Sequence, residues 1–397
     1  MIEHGVIEPA VHEGPDGWWV EVVDGDSAAL VSGLAAGTSG LVTGTTVGHG
    51  VRVGRLRGVW RGGPAPAAPT ETPITVDQTQ YSVIVGGVGS GDAVVVKWTV
   101  HPTASASPAP RRTVHLAEVG FTEQPAPLGE VYLDADFGTP VLLAAVTSHL
   151  PGARDGWDFY VEDVRSYARG DAVDVLAAAR HLGGLVARMH NALATPSSLE
   201  RHPGGTADAA RVRTWHQRAL DTLEEALALT GGPEGERLRA LAPKARASLA
   251  VLSEVDSTPV QPVHGDLHVG QVLRWEGGYA VNDFDGNPVL PPAERLAPQP
   301  TARDVAGMLA SLDHVGRVAL RHAPDADASR VEAWIATAHE TFLASYLETL
   351  GADADRFDER LLAPFAVEQE CREYVYAARH LPRWLYVPDA ALPALLG

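Results

Sequence analysis

Two aspartates and a glutamine lie between residues 264 and 283, and their types and spacing suit one chemistry. Asp266 ends the run His264-Gly265-Asp266. Gln271 follows five residues later, and Asp283 comes 12 residues after that, beyond a short apolar stretch. Moving a phosphoryl group asks a protein for positioning and for cancellation of negative charge, with little covalent work. A carboxylate beside an acceptor hydroxyl orients it and takes its proton late. An amide oxygen and a second carboxylate are hard ligands that suit Mg2+, which keeps waters and bridges phosphates. Asp266 is therefore the candidate base, and Gln271 and Asp283 are the candidate metal ligands. His264 completes the catalytic pair by bracing the loop through hydrogen bonds. A lone H-G-D is equally compatible with an ordinary turn. The combination carries the reading, with Val281 and Phe284 flanking Asp283.

The interval from 266 to 271 is that of the catalytic loop in the protein-kinase fold, where a strand lysine reaches the α- and β-phosphates. Lys97 is the only lysine in the first half of the chain, and it sits among alternating apolar residues. Strands are expected at 18–23, 51–60, 81–85, 93–100 and 139–150, separated by Gly- and Asp-rich turns. The Gly-rich turn 86–92 has no helix after it, so it reads as a hairpin tip and not as a phosphate cradle. Helical spacing dominates later, over 172–193, 207–230 and 233–255. Strands first and helices afterwards point to an α+β, bilobal, protein-kinase-like fold. The expected divisions are a β-rich N-terminal cap (1–70), a small nucleotide-binding lobe (71–150) and a helical C-lobe (151–397). Residues 61–73 are linker-like in composition.

His264 to Arg274 also resembles the catalytic loop of a known group, the aminoglycoside-phosphotransferase-like small-molecule kinases, and within them the maltokinase-like branch. That branch carries H-G-D-x-H-x-G-Q-V-L-R, then D-F-E-G-E-P, P-x-x-E-R and R-D-V-A-G-M-L. Here the later motifs are similar to Asp283–Pro288, Pro291–Arg295 and Arg303–Leu309. Asp155-Gly156-Trp157 and Leu185–Ala194 resemble further family segments, and the likeness runs over roughly residues 75–390. It implies ATP and Mg2+ as cofactors. It implies a phosphate-covering loop at Asp77–Ser82 with contacts from Gln78 and Ser82, and an adenine contact at the hinge, at Ser148 and Leu150. The chain departs from the pattern at Asp285 and Asn287, which replace the acidic pair. No Glu lies between residues 98 and 117 to pair with Lys97, which leaves Glu118 or a residue outside that segment.

The acceptor site is expected on the C-terminal stretch 365–384. Glu368, Arg372 and Tyr376 share one helix face, and Glu370, Glu373 and Tyr374 mark a neighbouring stripe. In the family, residues at positions like Glu373 and Tyr376 lie near the sugar. His268, Trp384 and Trp275 are further candidates, the tryptophans by stacking on a pyranose ring. An aminosugar brings an ammonium and favours a carboxylate at close range. The acid-rich helix therefore favours glucosamine, phosphorylated at O6, over maltose phosphorylated at O1. Aminoglycoside modification comes third, and a pseudokinase module is the reading outside catalysis.

Net charge is −19, from 31 Lys and Arg against 50 Asp and Glu. That argues against nucleic acid and anionic membranes as partners. One cysteine excludes an intrachain disulfide framework and fits a reducing cytoplasm. No membrane span, signal peptide, Walker A loop, G-x-S-x-G elbow or H-E-x-x-H motif is legible. A cytoplasmic monomer acting on a small sugar is expected.

Overall fold

The structure is a computed structural model that describes residues 10–14, 17–22, 25–36, 43–48, 51–66, 70–74, 81–87, 91–102, 107–134, 140–323 and 326–397. The chain opens with the hairpin β1 (Ala10–Gly14) and β2 (Gly17–Glu21), then helix α1 (Asp26–Ala36). Next come β3 (Thr43–Gly48), β4 (Val51–Trp60), β5 (Glu71–Pro73), β6 (Tyr81–Val85) and β7 (Val94–Trp98). Helix α2 (Pro108–Glu118) leads to β8 (Pro127–Asp134) and β9 (Val141–Ser148). Strands β3 to β9 form one antiparallel sheet in the order β3-β4-β8-β9-β7-β6-β5.

Alternation along β7 decides what this sheet presents. Val94, Val96 and Trp98 are buried in the small-lobe core with Val83, Leu133, Leu143 and Val146. Lys97 therefore stands on the opposite face. The first segment, expected as β-rich, also holds a helix: residues 26–36 bring Leu30, Val31 and Leu34 into the sheet core. Asp24-Gly25-Asp26 and Gly33 disguise it as turn-rich, yet three buried residues within five positions suit one helix face. Trp98 Nε1 pins it by donating to Ser27 Oγ at 3.0 Å. The linker-like run 61–73 also ends in a strand, β5, whose Glu71 accepts from the backbone N–H groups of Gly25 and Ala28. Strands β3 and β4, from the segment expected as a cap, belong to the same sheet as β7 and β9.

The large lobe begins after residue 150. Short strand β10 (Arg154–Asp155) runs into α3 (Gly156–Ala168) and α4 (Val175–Leu193). Strand β11 (Gly205–Asp208), α5 (Ala209–Leu229), α6 (Gly232–Ala250) and β12 (Ser257–Val260) follow. The hairpin β13 (Val272–Trp275) and β14 (Gly278–Val281) fills the interval between Gln271 and Asp283. The chain ends in α7 (Pro292–Leu296), α8 (Ala302–His322), α9 (Ala328–Leu350), α10 (Leu362–Arg379) and α11 (Tyr386–Leu396). One core joins α3, α4, α8 and α9 through Phe159, Leu182, Met308 and Phe342. A second joins α5, α6 and α10 through Trp215, Leu238 and Phe365. The two-lobed, protein-kinase-like plan is thus what the strand-then-helix order builds. Among the described residues, no helix is long and apolar enough to cross a membrane.

Candidate active site

The candidate catalytic segment is held by a buried carboxylate. Asp304, near the start of α8, accepts from the backbone N–H of His264 (2.7 Å) and of Gly265 (2.8 Å). His190 of α4 meets the same carboxylate at 3.1 Å, and its other ring nitrogen meets Tyr346 Oη at 2.8 Å. Burial works to raise the Asp304 pKa, but the His190 hydrogen bond and the surrounding donors outweigh it, so the group stays ionised. Gly265 takes φ 87°, a left-handed turn immediately before Asp266.

His264 is fully buried, and burial lowers its pKa, so the ring is neutral. Its Nε2 donates to Asn282 O at 2.9 Å, and its Nδ1 faces Asp266 N at 3.4 Å. Asn282 N in turn donates to Gln271 O at 2.8 Å. One backbone unit, that of Asn282, therefore ties His264, Gln271 and the neighbouring Asp283 into a single assembly. Asp283 itself lies at φ 59°, in the left-handed region. His264 acts by holding this assembly together.

Lys97 crosses from the small lobe to the turn after β14. Its Nζ donates to Asp283 Oδ1 at 2.8 Å and to Asp285 Oδ2 at 3.0 Å. Burial opposes the charge on Lys97, and the two carboxylates outweigh that effect and raise its pKa. Burial likewise opposes ionisation of Asp285, but Lys97 and the Ser107 hydroxyl hold it at about 2. Glu118, the local candidate for the lysine, points elsewhere: it accepts from Ser198 N and Oγ. Ser82 stands directly across the sheet register from Lys97. Gln78 lies outside the described residues. The Ser148 hydroxyl accepts from Ala126 N at 2.9 Å, and Leu150 is buried where the lobes join.

Beside Asp266 the loop continues to His268, whose Nδ1 accepts from Gly270 N at 3.1 Å and whose Nε2 lies 3.3 Å from the Gln271 side-chain amide. The Trp157 ring of α3 is 6.4 Å from His268 and 5.7 Å from Trp384, edge to face. Gly156 permits this approach, since a Cβ there would come within 2.0 Å of Val269 O. Trp384 Nε1 donates to Glu373 Oε2 at 2.9 Å, and Gln369 Nε2 donates to Glu373 Oε1 at 2.9 Å. An aromatic and carboxylate wall thus adjoins the catalytic loop.

The rest of the expected acceptor set divides. Glu368 does not join this wall. It is 1 % exposed and holds Arg303 (3.0 Å) and Arg218 (3.1 Å). Five residues of helix separate it from Glu373, a net rotation of about 140°, so it faces the lobe interior. Arg372 donates to Gln369 Oε1 at 2.5 Å, and Tyr376 is 49 % exposed beside His380. Glu370 is buried against His314 at 2.9 Å, and His314 packs edge to face on Trp384. Trp275 ends β13, opposite Gly278 in the hairpin. Asp304 and Arg112 support the site from outside the expected set. Asp304 could be found in the R-D-V-A-G-M-L run, whereas Arg112 has no local signal.

No family model matches the chain. It is 52 % identical over 339 residues to a glucosamine kinase of Streptacidiphilus jiangxiensis, covering 83 % of this chain and 75 % of that protein. The chain belongs to the glucosamine kinase family. A second relative, the glucosamine kinase of Mycolicibacterium smegmatis (strain ATCC 700084 / mc(2)155), is 44 % identical over 334 residues, 82 % of this chain and 79 % of that one. Among solved structures, a glucosamine kinase in complex with glucosamine, ADP and inorganic phosphate superposes with a TM-score of 0.77 at 44 % identity. It covers 97 % of this chain and 90 % of that chain. A glucosamine kinase in crystal form B gives 0.78 at 45 % identity, over 96 % and 86 %. Family members transfer phosphate to a sugar hydroxyl, and this chain is a phosphotransferase of that kind.

Proposed function

We propose that this protein transfers the γ-phosphoryl group of ATP to O6 of glucosamine, with Mg2+. Its hard-oxygen donors suit that ion: the Asp283 carboxylate follows β14 and the Gln271 amide precedes β13, joined through Asn282. Bound there, Mg2+ would neutralise charge between the phosphates. Lys97 would contact the α- and β-phosphates from the sheet. Gln78 and Ser82 would cover the phosphates, and the hinge at Ser148–Leu150 would take adenine. Asp266 would orient the acceptor hydroxyl and receive its proton as the P–O bond forms.

The observation that carries the choice of acceptor is the Glu373–Trp384 pair beside Trp157 and His268. Each Glu373 oxygen accepts one hydrogen bond and keeps a lone pair, so a substrate ammonium finds a half-buried carboxylate at an aromatic wall. The test is ADP release with ATP and Mg2+ across glucosamine, glucose, N-acetylglucosamine, maltose and an aminoglycoside. Turnover with glucosamine and little with maltose or N-acetylglucosamine is expected. Preferential turnover with maltose would replace the assignment. Silence on the whole panel would make the site a nucleotide-binding module.

A further inference from the structure

A phosphate-binding lysine needs a fixed anionic partner, and α2, the helix that follows the lysine strand, has none to offer. Its one acidic residue, Glu118, is held by Ser198. Among the described residues two carboxylates reach Lys97, and one of them, Asp283, is the candidate metal ligand. A carboxylate drawn to Mg2+ holds the lysine less tightly, which leaves Asp285.

Asp285 is built to hold still. Its Oδ2 takes Lys97, while its Oδ1 accepts from Ser107 Oγ at 2.6 Å. Ser107 is also the N-cap of α2, accepting from Ala109 N at 3.3 Å. The turn that carries Asp285 is clamped to the same helix, because Arg112 donates to Phe284 O at 3.0 Å. We propose that Asp285 is the positioning residue for Lys97, replacing a helix glutamate, and that Ser107 couples this contact to the seating of α2. The inference rests on Lys97 binding nucleotide phosphate, as under the proposed function.

A double-mutant cycle tests it, read as Mg2+–ATP affinity by calorimetry so that inactive variants still report. Asp285→Asn alone should weaken ATP about tenfold or more, the size of a lost charge-assisted hydrogen bond. Glucosamine affinity and the Mg2+ concentration for half-maximal activity should stay within about twofold of wild type, and Ser107→Ala should weaken ATP in the same direction by less. In a Lys97→Met background, Asp285→Asn should add less than about a further twofold. An equal loss in both backgrounds, or a shifted Mg2+ requirement in place of ATP affinity, would overturn the proposal. If Lys97→Met alone leaves ATP binding intact, the nucleotide-site reading fails first. If Asp285→Asn does not fold, the same cycle run with Ser107→Ala decides, and additivity there overturns the coupling.

Discussion

Arg112 donates to the carbonyl oxygen of His264 at 3.1 Å, so a small-lobe helix grips the catalytic loop of the large lobe directly. The same guanidinium donates to Phe284 O and Arg295 O. It is 6 % exposed, and burial lowers its pKa to about 10 against the pull of Asp304 and Asp285, so it stays charged at neutral pH. Only a rigid planar fork serves three carbonyls at once. Arg112→Lys should therefore lose about 1–3 kcal/mol of stability through unmade hydrogen bonds. Activity should fall further than an equally destabilising core change brings about. Denaturant melts beside steady-state rates check this, and a lysine variant with unchanged rates would count against the grip.

Asp266 is the proposed acceptor of the hydroxyl proton. Asp266→Asn should lower kcat by about a hundredfold or more, the usual scale for losing a positioned base. ATP affinity should hold, because Lys97 and Asp283 do not depend on it. Calorimetry for ATP with single-turnover rates separates the two, and near-normal rates in the variant would remove Asp266 from the role.

Glu368 and Glu373 are five residues apart on α10 and should behave in opposite ways. Glu373→Gln removes the charge facing the acceptor wall, so KM for glucosamine should rise while the melting temperature moves little. Glu368→Gln leaves the buried Arg303 without its carboxylate and Arg218 with Glu294 alone. Breaking such a pair costs about 3–5 kcal/mol, so its loss should appear as instability with KM unchanged in the surviving enzyme. KM and thermal melts on both variants check the contrast.

The buried His314–Glu370 pair makes stability fall on the alkaline side. Burial opposes the imidazolium, but the Glu370 carboxylate, with Glu373 and Asp313 nearby, raises its pKa from 6.5 to about 9. The folded protein therefore binds more protons than the unfolded chain between those values. The stabilisation is complete below pH 6.5 and is lost as pH rises through 9. The slope in that window reaches about 1.4 kcal/mol per pH unit. His314→Gln should flatten that part of the profile, measured as melting temperature from pH 6 to 10. Because His314 packs on Trp384, the variant should also raise KM for glucosamine.

Much of this molecule is determined by its sequence alone, for a physical reason that acts over short range. The interval from Asp266 to Gln271 is one tight loop, and the interval from Gln271 to Asp283 is one hairpin, so residue counting places both metal-ligand candidates. Period-two alternation assigns Lys97 to the face of β7 opposite Val96 and Trp98. Tertiary structure decided what counting cannot reach. Whether Glu368 or Glu373 meets the acceptor depends on which side of α10 packs against α5 and α8. Helix spacing separates the two stripes, yet each holds a buried acid, Glu368 in one and Glu370 in the other, so burial is decided residue by residue. Arg112, Asp304 and Asp285 act across 152, 40 and 188 residues of chain on His264 and Lys97. Contacts of that length form only when distant segments pack together, within the large lobe for Asp304 and between the lobes for Arg112 and Asp285, because hydrogen bonds are local in space and leave no periodic trace along the chain.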